Sequence, residues 1–363
     1  MRKLLPFVLF ILLTQSSLSQ HLYPVEIDGE VGYIDTNGEV RIEAIYDTPV
    51  RDGSVRIGKK DYPARIIPDY AYFSEGRAVV KIREYFLKII PWGFHYEVID
   101  SNGNSLFETG EDEIYVYREG LAVRESRHET FAYESESVYG YVNTSGEWEI
   151  LPIFTYASPF NNGVALVLYE DFFRYIDREG EFLHDGYFED AYNYSEGLAP
   201  VKLDEKWGYI DRKGELVISS HFWQARQFSD GAAMVVPDSV SGKYRFINKN
   251  GEYINDSEYS AAWNFSEGRA LVRIGDKYGY LAPDGSLAIE AKFEDAGTFS
   301  DGVAPVKISV SWGFIDQNGN IVCEPQFLMA GPFRSGLAPV WQEDGNMYYI
   351  NKKWEIVHQA TDR

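Results

Sequence analysis

A chain of 363 residues is long enough for two ordinary domains or for one extended array of repeats, and 45% apolar with 25% charged residues is the balance of a folded protein. Fifty-six acidic residues against 34 lysines and arginines leave a formal charge of −22. That excess repels phosphate backbones and anionic bilayers, so nucleic acid is excluded as the expected partner and membrane surfaces are disfavoured.

The chain opens with Arg2 and Lys3, an apolar stretch from Leu4 to Leu13, and the small-residue pattern Ser17-Leu18-Ser19. This is the order of a secretory signal peptide, expected over residues 1–19. The apolar stretch is too short for a permanent bilayer-spanning helix. No later apolar run is long enough either, so the expected location is secreted, periplasmic or cell envelope. Cys323 is the only cysteine. An internal disulfide is therefore impossible, and Ile321-Val322-Cys323 reads as a core strand rather than a nucleophile.

From residue 20 onward the sequence repeats itself. An aromatic, an aliphatic and an Asp or Asn recur before a glycine turn, as in Tyr175-Ile176-Asp177, Tyr209-Ile210-Asp211 and Phe314-Ile315-Asp316. Glycine follows three residues later, as at Gly180, Gly214 and Gly319. A second marker, Phe-Ser-Glu-Gly or a variant, has its glycine at 76, 120, 163, 197, 231, 268, 302 and 336. Three residues before that glycine stands an aromatic in every copy, for example Tyr194 and Phe228. Two residues after it stands an alanine, for example Ala199 and Ala233.

Within one unit, Leu198 to Lys202, Trp207 to Asp211 and Glu215 to Ile218 read as three short strands joined by tight turns. The expected fold is all-β: a tandem array of about nine three-stranded antiparallel meanders, with units starting near 22, 77, 121, 164, 198, 232, 269, 303 and 337. A lone meander cannot bury both apolar faces, so each must be covered by its neighbours. The constant alanine suits a close approach between units, and the constant aromatic suits a plug between them. Both ends of the chain carry complete meanders with no strand split between them, which favours an open or superhelical array; a closed β-propeller is the alternative.

Lys206-Trp207-Gly208-Tyr209-Ile210-Asp211, Ser311-Trp312-Gly313-Phe314-Ile315-Asp316 and the Phe-Ser-Glu-Gly-Leu-Ala element resemble the WG (or KWG) repeat family of bacterial proteins. The resemblance covers about residues 22 to 357. It implies a β-rich bacterial repeat of mostly unknown function and carries over no catalytic residues. Arg174 and Arg245 depart from the pattern where it has its first glycine.

Insertions interrupt the spacing at Thr48 to Pro68, Lys81 to Glu97, Arg124 to Tyr139 and Pro237 to Lys243. Three of them fall between the first and second strands of a unit and should leave from one edge. The second is dense in aromatics, and Tyr85, Phe86, Trp92, Phe94 and Tyr96 are the candidate binding residues, with a longer packed hairpin as the competing reading. No nucleophile elbow, phosphate loop or dinucleotide fingerprint occurs. The six histidines show no metal-ligand spacing, and no metal or cofactor is expected. Asp35-Thr36-Asn37-Gly38 and Asp316-Gln317-Asn318-Gly319 begin like calcium loops but lack the further ligands, so a hairpin turn is the preferred reading. The expected function is a non-catalytic interaction or surface scaffold with a protein partner. The alternative is carbohydrate or cell-wall binding through exposed aromatics, which would require rings in solvent.

Overall fold

The computed structural model describes residues 22–27, 30–47, 51–57, 60–66, 71–86, 90–128 and 136–359. The expected signal peptide lies outside them. Among the described residues no helix is long and apolar enough to cross a membrane.

Antiparallel strands make up nearly all the regular structure, and they fall into nine meanders in the expected places. Units 1 and 2 share one six-stranded sheet through a single residue pair, Asp47 with Lys81. Each later unit has its own sheet, so nine meanders occupy eight sheets, and a separate hairpin pairs Arg51–Ile57 with Lys60–Ile66. Units 5, 7, 8 and 9 have four strands rather than the expected three. The extra strand lies in the crossing segment: Asp190–Ala191 pairs with Ala199–Leu203, giving the otherwise open edge of that strand hydrogen-bond partners.

Exposure falls from the outer strand inward. In unit 5 the outer strand, Leu216–Phe222, alternates between exposed and buried residues, whereas Ala199, Pro200 and Val201 are all buried. The constant alanines are 0–2% exposed, and the constant aromatics from Tyr117 to Phe333 are 1–4% exposed. They sit between units. Among the described residues nine apolar clusters form, each shared by neighbouring units, and one of them joins Tyr23, Val25 and Ile34 to Leu337, Trp341, Met347 and Tyr349. Tyr23 and Tyr349 have ring centroids 5.1 Å apart, and His358 Nε2 lies 3.4 Å from the Glu26 carbonyl. The first and last units therefore meet, and the expected open array is corrected to a closed, propeller-like ring. The reason is that the first and last units pack on each other through the same kind of apolar contact as any other pair.

Hydrogen bonds stitch neighbours together at one end of the ring. Glu196 (φ 53°) and Gly197 (φ 90°) are the two central residues of a hairpin turn that requires positive φ at both. A glutamate is costly there, yet Glu75, Glu119 and Glu267 repeat the choice. Their carboxylates accept the N–H of the next unit's turn glycine: Glu75 from Gly120 at 2.8 Å, Glu119 from Gly163 at 2.9 Å and Glu267 from Gly302 at 2.8 Å. Beside them, Ser74 Oγ donates to the Tyr117 carbonyl (2.7 Å) and Ser195 Oγ to that of Phe228 (2.6 Å). The phenols of Tyr141, Tyr175, Tyr209 and Tyr280 each donate to a carbonyl 17 residues ahead, at 2.7–2.8 Å.

The Asp-x-x-Gly sequences are hairpin turns. Asp316 Oδ1 accepts the N–H groups of Asn318 and Asn320 at 2.9 Å, and Asp35 Oδ1 accepts those of Asn37 and Glu39. Burial would raise the Asp35 carboxyl, but Arg41 and those two N–H donors outweigh it and hold it below the usual carboxylate value.

The glycine after the tryptophan has a specific steric job. Trp207 pairs with Phe222 and Tyr209 with Ile218, so the outer strand carries a two-residue excess that lies directly over Gly208. A Cβ there would stand 2.6 Å from the Ile218 carbonyl oxygen and 2.7 Å from Ser220 N. Gly32, Gly140, Gly279 and Gly313 meet the same obstruction. Where Arg174 and Arg245 replace the glycine, the outer strand reduces to isolated pairings, Ile176 with Phe182 and Ile247 with Tyr253. Each guanidinium then stacks on the displaced ring, 3.4 Å from the Phe182 centroid and 3.5 Å from that of Tyr253.

Two outcomes follow for stability. Gly208→Ala should cost about 1–3 kcal/mol in a denaturant melt, and an unchanged midpoint would contradict the packing described. A chain ending at residue 335 should lose its cooperative transition altogether, because removing one unit exposes both faces of the junction, whereas an open array would keep most of its melt.

Candidate functional site

Alternating strand direction places the Ser-Glu-Gly turns and the Asp-x-x-Gly turns at one end of every sheet. Contacts between them confirm the common orientation: Arg178 Nη1 donates to the Glu119 carbonyl at 2.5 Å, and Lys249 Nζ to that of Glu196 at 3.1 Å. The turns between first and second strands, and the crossings between units, lie at the opposite end. All four insertions therefore leave from that second face.

A cleft of about 480 Å³ opens on the same face between units 5 and 6, lined among others by Tyr192, Lys202, Glu205, Trp207, Trp223 and Arg226. Trp207 is held in place by the core, at 7% exposure, and stacks on Tyr192 with centroids 5.2 Å apart and planes at 30°. The Arg226 guanidinium lies 5.3 Å from the Tyr192 centroid and donates to its hydroxyl. Trp223, in the crossing segment, is 43% exposed, and Lys206 Nζ sits 5.2 Å from its ring. The Pro237–Lys243 insertion stands close by, since Lys206 also acts on Asp238 and helps hold its carboxyl below the usual range, behind the Ser241 and Val240 N–H donors. An exposed indole flanked by both signs of charge can stack on a flat ligand face and hydrogen-bond its rim.

The candidate residues of the second insertion separate. Tyr85 pairs with Pro91 and Phe86 with Ile90 across an extended hairpin, while the side chains of Tyr85, Phe86 and Trp92 lie outside the described residues. Phe94 is half-buried beneath the Lys81 ammonium, 3.7 Å from its centroid. Tyr96 is 4% exposed and packs edge-on to Phe94 within the cluster between units 2 and 3. As a binding residue it is corrected to a core residue: it shares the Val98 face of its strand, and that face is covered by unit 3.

The other face of the same strand holds a group that the sequence reading did not assemble. His95 Nδ1 lies 3.0 Å from Glu84 Oε1 and His95 Nε2 lies 3.1 Å from Glu97 Oε1. One ligand atom from each of His95, Glu97 and Glu108 falls within 4.8 Å of the others. Burial opposes charge on the imidazole, but the Glu97 and Glu84 carboxylates outweigh it and raise its pKa above the ordinary value. The sequence reading, which found no metal-ligand spacing among the histidines, did not anticipate this grouping. The available signal was His95 and Glu97 at i and i+2, which is one face of a strand.

Comparison with known families matches the description "WG containing repeat" at residues 32–48, 139–171, 173–207, 207–236, 244–278, 278–309 and 312–344, more than half of the chain. The chain belongs to the WG repeat family. In this WG-repeat chain the Trp of the motif is a core anchor and the Gly is the clearance beneath the outer strand. No curated protein matches the sequence. Among solved structures, BamB from Moraxella catarrhalis is similar at 10% identity and a TM-score of 0.41, over 83% of this chain and 99% of that one. AztD from Citrobacter koseri is similar at 11% identity and a TM-score of 0.36, over 74% and 91%. A eukaryotic initiation factor is similar at 9% identity and a TM-score of 0.42, over 93% and 84%.

The two tryptophans of the cleft should separate in a thermal melt. Trp207→Ala should cost about 3–5 kcal/mol, and Trp223→Ala should stay within about 0.5 kcal/mol of the parent. Equal losses would mean that Trp223 is a packing residue and not part of an open surface.

Proposed function

We propose that this WG-repeat chain is a non-catalytic interaction scaffold, exported by its first 19 residues, that presents one variable face of a rigid ring to a protein partner. The observation that carries the reading is the asymmetry between the two faces. At the Ser-Glu-Gly end, serine, glutamate and lysine side chains are spent on the backbone of neighbouring units, and the pattern recurs from unit to unit. At the other end the repeat is broken by every insertion and by the cleft beside Trp223. Repeat proteins recognise partners where the regular frame is decorated rather than where it is periodic. The net charge of −22 favours a partner with a basic surface.

The test uses the mature full-length chain as bait against envelope extract of its own source, beside a variant with Trp223→Ala and residues 237–243 shortened to a two-residue turn. Specific capture by the parent should fall at least about tenfold in the variant, a loss of the size expected when an aromatic anchor is removed. Equal capture by both would reject this face as the docking surface.

A second reading, carbohydrate binding, is supported by Trp223 in the cleft: an exposed indole beside Lys202, Glu205 and Arg226 suits a sugar ring with its hydroxyls. Trp263 and Tyr187 are also exposed, but the Trp223 cleft is where an exposed ring stands beside charged side chains in a concave site. A glycan array in which the parent binds and Trp223→Ala does not would favour it over the protein partner.

A further inference from the structure

We infer that unit 2 carries a binding site for a first-row divalent metal ion, with His95 Nε2 and the carboxylates of Glu97 and Glu108 as ligands and Glu84 holding the imidazole in position.

Three adjacent strands bring these groups together. Glu84 lies on Arg77–Phe86, His95 and Glu97 on Ile90–Asp100, and Glu108 on Ser105–Gly110. The register sets Glu97 directly opposite Glu108, and His95 opposite Ile82, two residues before Glu84 on the same face. The two ring nitrogens then have different roles. Nδ1 points at Glu84 Oε1 (3.0 Å), the carboxylate–histidine contact that fixes the tautomer in metal sites. With the proton on Nδ1, the Nε2 lone pair faces Glu97 Oε1 at 3.1 Å. That facing of acceptors is relieved in either of two ways: a second proton, giving an imidazolium that donates to both carboxylates, or a metal ion that takes Nε2 and the carboxylate oxygen together as ligands. Among the described residues no lysine or arginine is ion-paired with Glu84, Glu97 or Glu108; the nearby Lys81 ammonium sits over Phe94 and Arg83 binds Asp47.

The position within the repeat points the same way. Glu97 occupies the place of the WG glycine, where a side chain obstructs the two-residue excess of the outer strand. In unit 2 that excess shrinks: Tyr96 pairs with Gly110 and Glu97 with Glu108, and the outer strand runs close enough to present Glu108. No other unit has a histidine in the place of His95. His95 and Glu97 are 16% and 14% exposed at their side chains, sheltered yet open to an ion from solvent.

One nitrogen and two carboxylate oxygens make a three-ligand set that leaves a fourth position for water, as zinc accepts, whereas calcium and magnesium prefer oxygen-only shells. Ligand atoms of a tetrahedral ion at about 2.0–2.2 Å stand closer together than 4.8 Å, so binding draws the two carboxylates inward.

The test is calorimetric titration of the mature full-length chain with Zn(II), with Ca(II) as the contrast. The parent should bind one Zn(II) in preference to Ca(II). Affinity should fall at least tenfold in His95→Gln and in the double variant Glu97→Gln, Glu108→Gln, and about 10–100-fold in Glu84→Gln. His221→Gln, at an exposed histidine elsewhere, should bind like the parent. Zn(II) should also raise the melting temperature of the parent and protect His95 from carbethoxylation, a readout that needs no variant. Absence of saturable binding by the parent, or Zn(II) affinity unchanged in His95→Gln with His95 unprotected, would overturn the site.

Discussion

Registration between successive units along the chain depends on how one unit's Ser-Glu-Gly turn grips the next. The glutamate is held at positive φ, a conformation that asparagine or glycine would adopt at lower cost, and its carboxylate is delivered to a glycine N–H one unit ahead. The serine beside it bonds a carbonyl of that same neighbour. Neither contact stabilises the unit that supplies it in isolation. Local strain is thus exchanged for registration between neighbours, and the arrangement makes sense only when a neighbour exists on both sides. The aspartates at two of these turns, Asp230 and Asp301, reach Gly268 and Gly336 in the same way, so a shorter carboxylate also suffices.

The frame tolerates loss of its signature because the signature residues answer separate demands. The inner alanine and the aromatic three residues before the turn glycine answer to the space between units, and they vary little. The WG glycine answers only to the outer strand. Where an arginine replaces it, the outer strand loosens while the inner two strands keep their pairing, as at Arg174 and Arg245. Substitution at this position therefore alters the rim of the ring without opening its core. Three kinds of replacement are visible: an arginine that covers the gap by stacking on a ring, Glu97, which meets Glu108 of the outer strand, and Tyr348, which the outer strand pairs directly with Gln359.

Much of this was legible in the residues. Turn glycines at fixed spacing and alternating apolar positions placed the meanders, and eight alanines in one register marked the contact between units. Closure was not legible, because the residues that meet across the ends, Tyr23, Trp341 and Tyr349, look like those at any other junction. Most of the innermost strands were missed because two residues cannot display alternation; only that of unit 7, Ala261–Ser266, is longer among the described residues. Tyr96 was misplaced by counting aromatics in its stretch instead of following parity: it shares a strand face with Val98, which is fully buried. Trp223 and the His95 group come from segments distant along the chain or across strands, where spacing within a single stretch carries no information.

The junction between the last unit and the first holds through side chains, with no strand crossing from one to the other among the described residues. Its apolar packing is of the same kind as at the internal junctions, although the turn-to-turn carboxylate bond of those junctions is replaced by contacts such as that of His358 with the Glu26 carbonyl. The position of the chain ends is therefore arbitrary with respect to the fold: a permuted polypeptide, joined at the present ends and cut at another crossing, would assemble the same set of packed faces. Such an architecture can gain or move its termini without redesign of any blade.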